Sequence, residues 1–247
     1  MTRPCIDLNA DLGEGEPHDA FLLGKVSSCN IACGGHIGDE ASMTDTVRLA
    51  VRNGVRVGAH PAYPDREGFG RRSGFSKGES LKTSLRGQVE ALAAVCAAER
   101  APLSHLKPHG ALYNDAAGDD DLATTLVELA DHFDLALVGL PDSALERAAT
   151  QHGVHYLCEG FVDRSYLADG RLRPRGQEGA VINDVLVAAE QALRLATRQA
   201  FATADGEFLQ LTVDTLCLHG DTPNATDIAS AVTDRLAEAQ IAIASPS

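Results

Sequence analysis

The sequence predicts an α/β fold, an irregular (β/α) barrel of about seven strands, on three observations. Short apolar runs of strand length alternate with longer helical patterns from end to end. Several of those runs are continuously apolar, which suits strands covered on both faces. Gly and Pro are scattered as turn residues, and no repeat or low-complexity segment interrupts the chain. Residues 1–247 are therefore expected to form one domain. An open doubly wound sheet is the second choice.

The expected strands, in order, are residues 5–9, 30–33, 55–60, 103–107, 135–140, 154–159 and 215–219. Between them fall the expected helices. Residues 40–53 carry Met43, Val47, Ala50 and Val51 at helix spacing, with Gly54 as the stop. Residues 76–100 carry Leu81, Leu85, Val89, Leu92 and Val95, and Ser76 with Glu79 has capping-box spacing. Residues 119–132, 143–152, 182–199 and 224–239 complete the set. Thr222 is read as the cap of the last one, ahead of Pro223. The run IAIAS at 241–245 reads as a closing strand.

The net charge of −14 comes without a cluster of Lys and Arg, which argues against a nucleic-acid partner. No apolar run approaches the roughly 18 residues of a membrane span, and no apolar h-region follows the first residues. A cytoplasmic location is expected, with the six cysteines as free thiols. Cys29 and Cys33 lack the second pair that a structural zinc site needs. An anionic substrate must then meet a local group of cations. The residues leave the oligomeric state open, a homo-oligomer included.

Polar side chains gather where the strands end, which is where parallel barrels build active sites. The first strand runs into NADLGEG, with Asp7, Asn9, Asp11 and Glu14. The second supplies Asn30, His36 and Asp39; the third, His60 and Asp65; the fourth, Lys107, His109, Tyr113 and Asn114. Asp163, Arg164 and Tyr166 follow the sixth, and Asp214, His219 and Asp221 flank the seventh. Each has a bland alternative: Asp39 can be a helix cap, and a histidine beside proline can be a turn residue. Four histidines (His36, His60, His109, His219) at four strand ends are hard to assign to packing, because burying a polar group without a partner costs about 1–3 kcal/mol. His18, His132, His152 and His155 lack such a context, and His105 is left open. No phosphate loop, nucleophile elbow or H-E-x-x-H helix is present.

The segments NADLGEG, NIACGGHIGD, GAHPAYPDREGFGRR, LKPHGALYN, VDRSY, PRGQEGAVI and DTLCLHGDTP occur in an order that resembles the LamB/YcsF family, across nearly the whole chain. Gly35 and Ala62 depart from the residues common there, beside His36 and His60. The resemblance implies a seven-stranded barrel like that of polysaccharide deacetylases. It also implies ring opening of 5-oxoproline to glutamate, driven by ATP with Mg2+, alongside separate B and C subunits of a 5-oxoprolinase.

For that reaction Asp11 and His60 are expected as bases that activate water, and Lys107 as the cation stabilising developing charge, with His109 beside them. Arg71, Arg72, Arg164 or Arg175 is expected to hold the substrate carboxylate. Asn9, Asn30, His36, Tyr113, Asp214 and His219 join the expected substrate-binding set. Lys107→Ala or His109→Ala is expected to remove turnover and leave the fold intact. No metal is expected. The alternative reading is a metal-dependent amide or sugar deacetylase, with Asp11, His36 and His60 as ligands. A third is a non-catalytic protein that binds oxoproline for its partners.

Overall fold

The computed structural model describes residues 4–246. The ends of the expected 1–247 domain, residues 1–3 (the start of the stretch read for an export signal) and 247, lie outside them. Strands β1 (Cys5–Leu12), β2 (Ser28–Ala32), β3 (Arg56–His60), β4 (Leu103–Leu106), β5 (Ala136–Gly139) and β6 (Tyr156–Phe161) each pair parallel with the next. A two-stranded antiparallel hairpin, β7 (Phe201–Ala202) and β8 (Phe208–Leu209), precedes β9 (Thr215–His219). Strand β9 pairs with both β6 and β1, which closes a seven-stranded parallel barrel. The closing run appears as β10 (Ala242–Ile243), parallel to the first residues of β1.

Helices α1 (Asp19–Leu23), α2 (Glu40–Asn53), α3 (Gly78–Ala98), α4 (Gly110–Ala116), α5 (Asp120–His132), α6 (Ala144–His152), α7 (Val185–Ala196) and α8 (Ala225–Glu238) occupy the connections. The five longest and α6 match the periodicity seen in the sequence. Helices α1 and α4 are too short to show a period and were not expected. Asp39 caps α2 through Ser42, so its bland reading holds. The other two caps do not. Gly78 takes φ 60°, which prevents a right-handed helix from starting at Ser76, so α3 begins at Gly78 without a side-chain cap. Thr222 gives its hydroxyl to Asp163 instead, and Asn224 takes the cap position of α8.

Strand β1 is longer than expected because its alternation continues. Leu8, Ala10 and Leu12 pack outward into the apolar layer under the helices, while Asp7, Asn9 and Asp11 are buried on the opposite face. That face is the inside of the barrel, where the side chains form layers. Asp7 accepts hydrogen bonds from Ser27, Ser28 and Thr215 at 2.6–2.7 Å. Asn9 donates to Thr215 and to Glu159, and Asn30 donates to Asn9 and Asp11. A polar interior surrounded by an apolar shell thus runs up the barrel, with nearly all its groups satisfied.

The barrel is irregular between β3 and β4, where the register shifts at Val57/Gly58. His105 lies at this shift: its Nε2 bonds Asn30 Oδ1, and the ring occupies the place where a Cβ on Gly58 would sit. Only glycine leaves room for the imidazole. Gly58→Ala should therefore destabilise the fold by about 1–3 kcal/mol, read as a lower urea midpoint at unchanged slope.

Candidate active site

A cavity of about 460 Å³ opens at the C-terminal ends of the strands. Its floor is the Lys107 ammonium, which is 2% exposed. Nζ lies 2.9 Å from Asp11 Oδ1, 2.9 Å from Glu159 Oε1 and 3.0 Å from Cys217 Sγ, so its three N–H groups are all directed. Burial works to discharge this lysine, but Asp11, Cys217 and Glu159 outweigh it and hold its pKa well above the usual value. Burial likewise works to protonate Asp11, and the His60 and Lys107 charges hold its carboxyl well below the usual range. Burial keeps Cys217 a neutral thiol.

Three histidines and Glu14 form the side wall over β3 and β4. His60 Nδ1 must carry a proton, because its partner, the Lys107 carbonyl 2.8 Å away, only accepts. His109 Nε2 must carry one too, because it faces the Phe69 carbonyl at 3.0 Å. One further proton then lies between His60 Nε2 and His109 Nδ1, which are 3.0 Å apart. Burial lowers the pKa of both rings, but Asp11 and Glu14 reverse that for His60, whose pKa is raised, and not for His109. His60 Nε2 also lies 3.3 Å from Asp11 Oδ2, and His109 Nδ1 lies 3.2 Å from Glu14 Oε1. His36 stacks on His109 and gives its Nε2 proton to Glu14 at 2.8 Å. Burial pushes its pKa down to about 4 despite that bond.

On the opposite wall His219 closes β9. Asp163 accepts from its Nδ1 at 2.9 Å and from its backbone N–H, and Thr222 braces the same carboxylate. Nε2 is left facing the cavity, 3.9 Å from Asp11 Oδ2. A carboxylate that fixes one imidazole nitrogen and leaves the other to the substrate is the arrangement of a general base.

The outer rim is a strap over residues 163–181, held by short bridges at Arg164–Val181 and Tyr166–Leu172. It brings Arg164, Arg171, Arg173 and Arg175 over the cavity, opposite Arg71. Arg164 is 6% exposed and donates to the carbonyls of Ala180 and Arg173. Among the described residues no carboxylate lies within ion-pair distance of it. Tyr113 lines the cavity with a buried hydroxyl that lacks a hydrogen-bond partner, as does Glu159 Oε2.

The structure therefore brings Asp11, His60, Lys107, His109, Arg71, Tyr113, Arg164, Arg175 and His219 to one mouth. Asn9 and Asn30 lie below it, orienting Glu159 and Asp11 from inside the barrel, and His36 stands behind His109. Asp214 is a correction. It precedes β9 at the far end of the barrel, exposed, where it accepts from the Cys158 N–H. Arg72 is tied to Asp65 and turned away. Lys107 lies at the floor of the mouth, against Asp11, Glu159 and Cys217. Glu159 was missed: it ends an apolar run and reads as the edge of a strand, yet it shares the inward face of β6 with Leu157 and Phe161, two residues away on either side. Glu14 appeared only as part of a motif.

The ligand set Asp11, His36 and His60 does not converge, because His36 faces Glu14. Two other groups of three donors do converge. In Asp11, Cys217 and His219 the Lys107 ammonium already sits against two of the three, so a divalent ion would meet a like charge. In Glu14, His36 and His109 the two rings are parallel to 3° with centres 3.6 Å apart, so one ion cannot lie in both ring planes. Neither group fits a metal.

The LamB/YcsF family model matches residues 6–247. Two proteins named as the A component of 5-oxoprolinase, from Haemophilus influenzae strains PittEE and 86-028NP, are 40% identical over 240 residues, 96% of this chain and 98% of theirs. The crystal structure of a lactam utilization protein from Thermus thermophilus superposes with a TM-score of 0.91 at 39% identity, over 98% of this chain and 100% of that one. The polysaccharide deacetylase Bc1974 from Bacillus cereus covers 100% of this chain and 93% of its own at 14% identity, with a TM-score of 0.51, and shares the fold alone. Among the described residues no helix is long and apolar enough to cross a membrane.

Two outcomes follow from the buried charges. Lys107→Ala leaves Asp11 and Glu159 without the ammonium they share and should cost about 3–5 kcal/mol in chemical denaturation. Histidines His36 (about 4) and His105 (about 3) stay neutral in the folded barrel because burial lowers their pKa values. The unfolded chain protonates them near 6.5, so it binds more protons as pH falls. Stability should drop by about 1.4 kcal/mol per pH unit for each between roughly pH 6 and 4.5, and His36→Phe should remove about one proton from that slope. His60, with its raised pKa, acts with the opposite sign: its contribution is present below about 6.5 and fades as pH rises through its folded value.

Proposed function

The chain belongs to the LamB/YcsF family, and on that premise we propose that its barrel mouth opens the lactam ring of 5-oxoproline to glutamate, as the A component of a 5-oxoprolinase. Likeness to the two Haemophilus proteins over nearly the whole chain supports the substrate. The observation that carries the chemistry is the pairing of His219, braced by Asp163, with His60, whose pKa is raised, across Asp11.

An amide resists water because its nitrogen donates into the carbonyl. ATP removes that resistance if its terminal phosphoryl group is placed on the lactam oxygen. This chain has no phosphate loop, so separate B and C subunits are assigned that transfer, with Mg2+ accompanying the nucleotide. The residues of the mouth do the rest. His219 Nε2 takes a proton from water as its oxygen bonds the ring carbon. Asp11 Oδ2 can orient that water, since it faces both histidines. As the carbon–nitrogen bond breaks, the electron pair stays on nitrogen, which takes the Nε2 proton of His60, and the carbonyl re-forms as the added hydroxyl gives its remaining proton through Asp11 Oδ2 back to His60. The acyl phosphate so formed yields glutamate and inorganic phosphate with a second water.

Arg164 is the fork for the substrate carboxylate, as a buried guanidinium without a carboxylate of its own. Lys107 acts from below through its charge, fixing Asp11 as an anion between two rings. Glu159 positions Lys107 and touches no substrate in this scheme.

The test is glutamate release from 5-oxoproline with ATP, in a mixture reconstituted with candidate B and C subunits and in mixtures lacking one component each. Release should need every component. His219→Asn and Asp163→Asn should lower kcat by about 10²–10⁴ with the circular-dichroism spectrum unchanged. A His219→Asn mixture that turns over at the wild-type rate rejects the base, and no release from the complete mixture rejects the reaction.

A further inference from the structure

The mouth holds more positive charge than a lactam monoanion requires. Six cations line it, Lys107 and arginines 71, 164, 171, 173 and 175, in a chain whose net charge is −14. The carboxylates there are already engaged. Asp11 serves Lys107 and His60, Glu14 serves the histidines, and Asp115 accepts from Tyr63 and Ser73. Asp221 alone answers two arginines: Oδ1 lies 2.6 Å from Arg175 and Oδ2 lies 2.7 Å from Arg71. Arg171 has only a loose pair with Asp169, at 3.8 Å.

Two features mark a missing anion. Arg173 lines the cavity, and its Nε is buried without a hydrogen-bond partner. Arg164 has its pKa lowered by burial and then by the neighbouring Arg175 charge, which the Asp163 charge offsets only in part. Asp221 bridges Arg71 and Arg175 with one oxygen each, which is how a tetrahedral oxyanion would span them. A phosphate monoester offers the same pair of oxygens, a third for Arg173, and a second negative charge.

We propose that the rim formed by Arg71, Arg173 and Arg175 is a phosphoryl-binding site, from which the Asp221 carboxylate is displaced when the dianion enters. The site lies beside Arg164, the fork assigned to the lactam carboxylate, so the two together take a substrate with an anion at each end. The identity of that substrate as an O-phosphorylated lactam rests on the function proposed above; the phosphoryl site itself does not. Such a site places this chain after the step that installs the phosphoryl group and makes it the component that consumes the activated ring.

Inorganic phosphate, titrated into the purified full-length chain at low ionic strength and followed by ³¹P line width and calorimetry, tests this. Saturable binding at one site is expected. Arg173→Gln and Arg175→Gln should each weaken it by about ten-fold or more, the loss expected of one charge-assisted contact. Asp221→Asn should tighten it several-fold, a gain that a damaged fold cannot produce. No saturable binding, or an affinity indifferent to all three substitutions, overturns the proposal. A non-hydrolysable ATP analogue separates the sources of phosphate. Competition with inorganic phosphate, lost in Arg175→Gln, keeps the site and makes nucleotide its ligand, whereas binding of the analogue without competition overturns it. Turnover of 5-oxoproline that survives in a chain unable to bind phosphate sinks this inference and spares the reaction; phosphate binding without any turnover does the reverse.

Discussion

A lysine ammonium buried on the axis of a barrel must be neutralised, and the placement of Lys107 sets the electrostatics of everything above it. Two carboxylates, Asp11 and Glu159, flank Nζ at the same distance, and a thiol takes the third proton. An ion pair in such a place repays its desolvation only when the geometry is tight and the remaining lone pairs are satisfied. The barrel meets most of that condition from below, with Glu159 Oε2 left unpartnered. Asn9 and Asn30 donate to Glu159 and Asp11, and Thr215 and Asp7 continue the chain of bonds towards the far end.

The same pair determines the protonation of the mouth. With one oxygen held by Lys107, Asp11 remains an anion and turns its other oxygen to His60 and His219. That negative charge raises the pKa of His60, which burial alone would lower. The ring on the far side, His219, answers instead to Asp163. Two histidines of one cavity are thereby given different carboxylates, an arrangement that sets neighbouring titratable groups apart. A neutral residue in place of Lys107 would unsettle both.

Above this floor the strap of residues 163–181 reverses the local sign of the field. The strongly acidic chain presents a cationic rim here, with Asp221 spanning two of its arginines. The strap follows β6 directly, so the segment that buries Glu159 also delivers Arg164 and its neighbours. Floor and rim are thus two ends of one piece of chain.

Much of this was legible along the sequence, where the relevant physics is local. Apolar periodicity of 2 and 3.6 places the strands and the long helices, and the cap at Asp39 needs only Ser42 three residues on. Recurring polar residues at strand ends mark the mouth, and the run of motifs marks the family. Elements too short to show a period, such as α1 and α4, stayed hidden, and Gly78 blocked a cap by its left-handed backbone angle. By itself the sequence determined which residues form strands, which face is polar and which side chains end near one another. Only the tertiary structure decided what each of them does. Lys107 meets Asp11 across 96 residues and Cys217 across 110, so its saturation cannot be seen in any window of the chain. The protonation of His60, the inward turn of Glu159 and the exile of Asp214 are likewise settled by charges and distances that exist only once the barrel has closed.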